Sequence, residues 1–196
     1  MGQENFFNQI AERWDDIRSL DVKKLDLLVN MAALGEGDTV LDVGCGTGVL
    51  SPFLKKAVGD TGQITAIDFA AKMIARAIDN NKHVAGINYI TGDINKFKAE
   101  TPLDKIICLN FFPHISDKPA FAEKMKAMLK QGGSLIIMHD ISRKAVNSLH
   151  ASSTAVKDDV LPDVNLVAAM LQSAGYSILN AMENDELYFI KAVKGK

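Results

Sequence analysis

Three aspartates, a run of alternating glycines and three histidines are the residues of this 196-residue chain whose types and spacing suit chemistry. The stretch Val40-Leu41-Asp42-Val43-Gly44-Cys45-Gly46-Thr47-Gly48-Val49-Leu50 opens as an apolar run of strand length and ends in glycines on alternate positions. Val49, Leu50, Phe53, Leu54 and Val58 then recur at helical spacing up to Gly59. The pattern predicts strand, tight turn, helix. Glycines at such a turn permit positive φ and let a ligand approach bare backbone. The helix behind it offers free N–H groups. A dinucleotide fingerprint would need glycine where Val49 stands, and a phosphate-cradling loop would need Gly-Lys-Ser/Thr, whereas the next lysine is Lys55. What remains is an acid inside the strand end, ahead of three alternating glycines. A second acid, Asp68, ends the run Gln63–Phe69 about 20 residues beyond the glycines, where a carboxylate can accept both hydroxyls of a ribose. A third, Asp93, follows Ile87–Thr91 in a Gly92-Asp93 pair that also suits an ordinary turn.

These groups need elements to hold them. Residues 5–18 carry Phe6, Ile10, Trp14 and Ile17 on one helical face, with Asp15, Asp16 and Arg18 on the other. Residues 22–34 repeat the pattern with Leu25, Leu28, Val29 and Ala32 and stop at Gly35. Met73, Ile74, Ala77 and Ile78 predict a helix ending at Asn80-Asn81. The continuous apolar run Leu103–Asn110 reads as a central parallel strand covered on both faces. Asn110-Phe111-Phe112-Pro113-His114 follows it, at the sheet edge where open α/β sheets bind ligands. A helix from about Asp117 to Gln131 shows Phe121, Met125, Met128 and Leu129, and Gly132-Gly133 ends it. Ser134–Met138 is the fifth strand, ending in His139-Asp140. If residues 141–161 are helical, Arg143, Asn147 and His150 form one polar stripe at i, i+4 and i+7. Pro162 and Asp163 start a last helix that Gly175 ends. Tyr176–Ala181 and Glu186–Val193 read as a strand pair around Asn184-Asp185.

Asp42-x-Gly44-x-Gly46-x-Gly48 closely resembles the cofactor motif of class I S-adenosylmethionine-dependent methyltransferases, and the resemblance extends from about residue 36 to 193. Phe6-Phe7-Asn8-Gln9-Ile10-Ala11-Glu12-Arg13-Trp14-Asp15 resembles the leader of the small-molecule branch, including the ubiquinone and menaquinone methyltransferases. The resemblance implies one Rossmann-like three-layer α/β domain with a mostly parallel seven-stranded sheet and a C-terminal antiparallel hairpin. Residues 1–35 would be a helical cap, 36–140 the cofactor-binding core, 141–161 a substrate lid, and 162–196 the final helix and strands. It also implies roles. Asp42 stands near the methionine amino group, and the turn Gly44, Cys45, Gly46 and Gly48 surrounds the cofactor. Asp68 takes the ribose, Phe69 lies against adenine, Asp93 receives the adenine amino group, and Ile94 lies beneath the ring. Asn110 and Phe111 border the methionine portion and the methyl group, and Phe112 adds to a dry wall there. Phe69, Phe111 and Phe112 equally suit ordinary packing, and helix one is either a sheet cover or a lid.

Methyl transfer from a sulfonium is a direct displacement, so position and exclusion of water are the main requirements. A general base is needed only for a nucleophile that starts protonated. His114, His139 and His150 all map to the ligand edge, and three readings stand side by side. They are hydrogen-bonded residues without special role; or proton acceptors, His139 foremost, with Arg143 pairing a substrate anion; or metal ligands, for which no dense ligand motif exists.

A formal net charge of −2 offers no basic field for nucleic acid, and no apolar run reaches the roughly 18 residues of a membrane span. Met1–Asn5 is polar and unlike a signal peptide. Cys45 and Cys108 do not suit a disulfide, so a reducing cytoplasm is the expected compartment. The expected function is methylation of a small molecule with S-adenosylmethionine. The alternatives are a non-catalytic S-adenosylmethionine-binding or regulatory protein and a nicotinamide-dependent dehydrogenase, which Val49 disfavours.

Overall fold

The computed structural model describes residues 3–17 and 20–195. Its contacts divide the chain into a unit ending at Phe97 and a unit beginning at Lys98.

In the first unit three parallel strands lie in the order β3 (Ile87–Thr91), β2 (Gln63–Asp68), β1 (Thr39–Val43). Asp42 lies opposite Ala66, and Asp68 opposite Thr91. Both acids therefore sit at carboxyl ends of parallel strands. Every residue of β1 beyond Thr39 is buried, as an apolar run in a covered strand requires. Helix α3 (Val22–Ala32) buries Leu25, Leu28, Val29 and Ala32, the stripe that its periodicity predicts. Asp21 caps it, accepting the Lys24 N–H at 3.1 Å, a contact worth about 1 kcal/mol. Helix α4 (Ser51–Val58) follows the glycine turn, and α5 (Ala71–Asn80) buries Met73, Ile74 and Ala77. The predicted first helix differs from expectation. It breaks into α1 (Gln3–Ile10), a 3-10 turn (Ala11–Arg13) and α2 (Trp14–Ile17); Arg18 lies outside the described residues. The break lets Ala11 bury completely against Ala70 and Met73, with Phe7, Ile10 and Trp14 packed around them.

In the second unit the order is β4 (Leu103–Leu109), β5 (Leu129–His139), β7 (Tyr188–Lys194), β6 (Tyr176–Glu183). The β4–β5 pair is parallel and the two pairs made by β7 are antiparallel. Helices α6 (Lys118–Met128), α7 (Arg143–Ala151) and α8 (Val164–Ser173) complete it, capped by the side chains of Asp117, Ser142 and Asp163. Strand β5 starts at Leu129, five residues before the predicted Ser134. Leu129 pairs with Leu103 and Ser134 with Lys105, so Lys130–Gly133 bulge out of the ladder. The bulge needs Gly132 at φ 76° and Gly133 where a Cβ would stand 2.9 Å from the Leu103 carbonyl oxygen. Glycines that read as a helix stop serve as a β-bulge. Helix α7 likewise ends at Ala151, earlier than a helix over 141–161 would.

No helix among the described residues is long and apolar enough to cross a membrane.

Candidate functional site

In the first unit the polar groups gather at the turn after β1. The Gly44 and Cys45 N–H groups both donate to the Ile67 carbonyl, at 2.8 and 3.1 Å, so β2 anchors the start of the turn. Gly44, Gly46 and Gly48 have φ of 68°, 52° and 76°, the left-handed region that glycine enters at least cost. They differ in what surrounds them. A Cβ on Gly46 would meet no atom within 4 Å, so that face of the turn is open. A Cβ on Gly48 would stand 2.6 Å from Asn81 Nδ2 and 3.0 Å from Ala77 Cβ. Gly48 therefore serves close packing against α5, where Asn81 Nδ2 donates to its carbonyl at 3.1 Å. The Cys45 side chain packs with Ala66 and Ile74, and burial pushes its thiol well up, which confines any ligand role to its main chain.

Asp68 is 8% exposed. Its Oδ2 accepts the Gly46 N–H at 3.0 Å and its Oδ1 the Ala70 N–H at 2.9 Å. The carboxylate shapes the glycine turn as well as ending its strand. Asp42 is 2% exposed. Burial first, and then the neighbouring charge of Asp68, pushes its carboxyl from 3.8 up to about 7. Among the described residues no cation pairs with it. Asp93 is exposed and accepts the Asn95 N–H at 2.8 Å, the turn geometry its Gly-Asp pair also predicted; Ile94 beside it is buried. The Phe69 ring stands edge-on to Phe7 of α1 at 5.9 Å.

One cluster escaped the sequence. Asp15 Oδ1 accepts from Thr47 Oγ1 at 2.6 Å, and Asp15 Oδ2 from Asn80 Nδ2 at 3.0 Å and Arg76 Nη2 at 3.4 Å. Asn8 Oδ1 accepts the Lys72 N–H at the other end of α5, at 3.0 Å. The N-terminal segment is thus stapled along α5 and touches the glycine turn itself through Thr47. Nothing in the local pattern marks Asp15, because its partners lie 32 to 65 positions away.

In the second unit Asn110 follows β4 with φ 53°, a positive value outside glycine and a mark of a functional or strained site. Its main-chain N–H donates to the Met138 carbonyl at 2.9 Å. Its Nδ2 donates to Asp140 Oδ1 at 2.7 Å. A carboxylate accepts only, so this bond fixes the amide orientation and turns Oδ1 the other way. That buried Oδ1 has no partner among the described residues. The half-buried Phe111 ring leans on Phe121 at 6.2 Å. Phe112 is fully buried against the same ring at 6.3 Å, a core aromatic instead of an exposed wall.

The histidines separate. His139 is 1% exposed and lies edge-on to Tyr188, its partner across the β5–β7 ladder, at 5.7 Å. His114 and His150 come together, with ring centroids 5.0 Å apart. His114 Nδ1 lies 2.7 Å from Asp159 Oδ2, and His150 Nδ1 lies 2.5 Å from the Asp159 carbonyl oxygen. Asn147 bonds Leu161 in both directions, at 3.1 and 2.8 Å. The Arg143 guanidinium meets Glu183 at 2.9 Å and Asp163 at 3.5 Å, so its charge is already answered. The polar stripe of α7 therefore faces protein: it pins the segment after α7. Among the described residues no three His, Cys, Asp or Glu side chains group as metal ligands.

Comparison with known proteins identifies the family. The profile of the family described as methyltransferase domain matches residues 34–188. The chain is 30% identical over 141 residues to the ubiquinone biosynthesis O-methyltransferase of Xanthomonas campestris pv. campestris, a match covering 67% of this chain and 57% of that protein. It thus spans little more than half of that relative's length. It is 26% identical to the ubiquinone/menaquinone biosynthesis C-methyltransferase of Shewanella halifaxensis, covering 89% of this chain and 82% of that one. The crystal structure of a SAM-dependent methyltransferase from Aquifex aeolicus is 23% identical and superposes with a TM-score of 0.74 over 95% of this chain and 98% of that one. The fold is accordingly the Rossmann-like, mostly parallel seven-stranded one that the glycine motif implied, with its C-terminal antiparallel hairpin. From the strand–turn–helix at Asp42 to the hairpin at Tyr188, the chain belongs to the methyltransferase-domain family.

Proposed function

We propose that this protein is an S-adenosylmethionine-dependent methyltransferase that methylates a small molecule by direct in-line transfer. The carrying observation is Asp42: a buried carboxyl raised to about 7, with no cation paired to it among the described residues, beside a glycine turn that is open at Gly46. A carboxylate in that state favours an ammonium ligand, which would restore its charge. The methionine amino group of the cofactor has that chemistry. Asp68, which accepts from the Gly46 and Ala70 N–H groups, would take the ribose hydroxyls with its carboxylate. Asp93 and Ile94 would take adenine, with Phe69 alongside. Asn110 Oδ1, fixed by Asp140, would receive an N–H of the cofactor's methionine end, with Phe111 nearby. When bound, the cofactor supplies an electrophilic methyl group on a sulfonium. The chain supplies alignment and a dry surround.

The relatives named above are methyltransferases of ubiquinone and menaquinone biosynthesis, which favours a small acceptor, and a net charge of −2 argues against a nucleic acid partner. Calorimetry with S-adenosylhomocysteine and with NADH, side by side on protein freed of ligand, tests the reading. Micromolar binding of S-adenosylhomocysteine alone supports it, and binding of NADH alone or of neither overturns it.

A further inference from the structure

We propose that Thr47, Arg76 and Asn80 form an oxyanion site that Asp15 fills as an internal ligand, so that a phosphate group displaces it and frees the N-terminal segment from the glycine turn. The site is independent of the methyltransferase reading, on which only its effect on cofactor release rests.

Asp15 answers its donors incompletely. Its Oδ1 accepts from the Thr47 hydroxyl at 2.6 Å and its Oδ2 from Asn80 Nδ2 at 3.0 Å. Arg76 reaches Oδ2 through Nη2 alone, at 3.4 Å. On a guanidinium, Nε and Nη2 share an edge that forks around two oxygens of a carboxylate or phosphate. Arg143 uses that edge fully, with Nε and Nη2 both 2.9 Å from Glu183. Arg76 does not, and its Nε is buried with no partner among the described residues. A buried charged donor left without a bond costs free energy that an added oxygen recovers. Asp15 brings two oxygens to these donors and is tied to its chain. A phosphate group brings more oxygens and is free to turn, so it suits the hydroxyl, the amide and both guanidinium nitrogens.

The donors are positioned without help from Asp15. Arg76 and Asn80 belong to α5, whose Met73, Ile74 and Ala77 are buried. Thr47 lies in the turn, which α5 holds at two carbonyls: Asn81 Nδ2 donates to Gly48 at 3.1 Å and Asn80 Nδ2 to Thr47 at 3.3 Å. Asp15 comes instead from the four-residue helix α2. The Asp15 and Arg76 side chains keep 38% and 37% exposure, so solutes reach the pair, and an ion pair that exposed holds weakly. A phosphate in the site still accepts from the Thr47 hydroxyl. The turn then keeps its partner while the segment loses its latch. Asn8 still accepts the Lys72 N–H at 3.0 Å, so the segment stays tethered at its other end. Phe7 of that segment stands edge-on to Phe69 at 5.9 Å, the ring proposed to lie along adenine. Loosening the segment therefore loosens the cover over that part of the cofactor.

Amide exchange on the full chain tests the site, with inorganic phosphate titrated at fixed pH and sodium chloride at matched ionic strength as the control. Exchange across residues 3–17 should rise with phosphate and saturate, and chloride should leave it unchanged. Asp15→Ala should exchange fast without phosphate and bind phosphate about tenfold more tightly in calorimetry, the gain expected if Asp15 fills the site about nine-tenths of the time. Arg76→Gln and Asn80→Ala should each abolish the phosphate response, and either variant that folds decides the point. A response shared by chloride, a response that never saturates, or phosphate binding no tighter in Asp15→Ala than in the wild type overturns the proposal. Methyl phosphate identifies the ligand: a response to it as well assigns any phosphomonoester, and a response to inorganic phosphate alone assigns the free ion. In stopped flow, saturating phosphate should quicken S-adenosylhomocysteine dissociation several-fold in the wild type and not in Asp15→Ala; an unchanged wild-type rate overturns the effect on release. If S-adenosylhomocysteine fails to bind at all, the methyltransferase reading falls, and exchange and calorimetry still decide the phosphate site.

Discussion

Asp42 carries an electrostatic cost in the folded chain. Its carboxyl titrates near 3.8 in an unfolded chain and near 7 in the folded one. Between those values the folded state binds more protons, so stability falls as pH rises and levels off above about 7. Asp42→Asn removes that loss. We expect the variant to be more stable than the wild type by about 4 kcal/mol at pH 8, with the advantage shrinking towards pH 4 and S-adenosylhomocysteine binding weakened. Urea unfolding across that pH range with matched calorimetry measures both. A variant no more stable at pH 8 would remove the unpaired-charge account. The glycines differ in the same resolvable way. Gly46→Ala adds a Cβ to open space, costing about 1 kcal/mol of left-handed strain but about tenfold in S-adenosylhomocysteine affinity. Gly48→Ala drives a Cβ against Asn81 and Ala77 and should cost about 2–4 kcal/mol of stability. The same two measurements check it: equal stability losses would mean that the two glycines do one job.

At the scale of elements the N-terminal segment is the informative one. It packs on α5 through Ala11, Phe7 and Trp14 and is stapled at both ends of that helix by Asn8 and Asp15. The Asp15–Thr47 bond joins it to the glycine turn, so the segment and the turn should order together. Asp15→Ala should speed amide exchange through residues 3–17 and weaken S-adenosylhomocysteine several-fold, because the turn loses a fixed hydroxyl partner. Exchange rates unchanged from the wild type would reduce α1 and α2 to a cover for the sheet. Helix α7 teaches the opposite lesson. Its stripe Arg143, Asn147 and His150 looked free for substrate, and the structure uses all three to hold Glu183, Leu161 and Asp159.

For the whole molecule, ligand binding and stability are one equilibrium. S-adenosylhomocysteine at a hundred times its Kd should add about 2.7 kcal/mol, which for a chain of this size raises Tm by about 5–10 °C. NADH at the same concentration should leave Tm unmoved. Scanning calorimetry reads both, and a shift with NADH alone would return the chain to the dehydrogenases.

What the sequence determined by itself was local. The helical stripes of apolar residues, the helix starts near Asp117 and Asp163, and the strand–turn–helix at Asp42-x-Gly44-x-Gly46-x-Gly48 each depend on neighbours within a turn or a strand, and each stood as read. The seven strands followed, because apolar runs bounded by glycine and acid leave few other structures. What only the tertiary structure decided depends on residues far apart in the chain. The bulge at Gly132-Gly133 arises from register against Leu103, and the break at Ala11 from packing on Ala70. The pairing of His114 with Asp159 spans 45 positions. A histidine's chemistry is set by which group takes its other ring proton and by how deeply it is buried. His114, His139 and His150 are alike in sequence and differ in both.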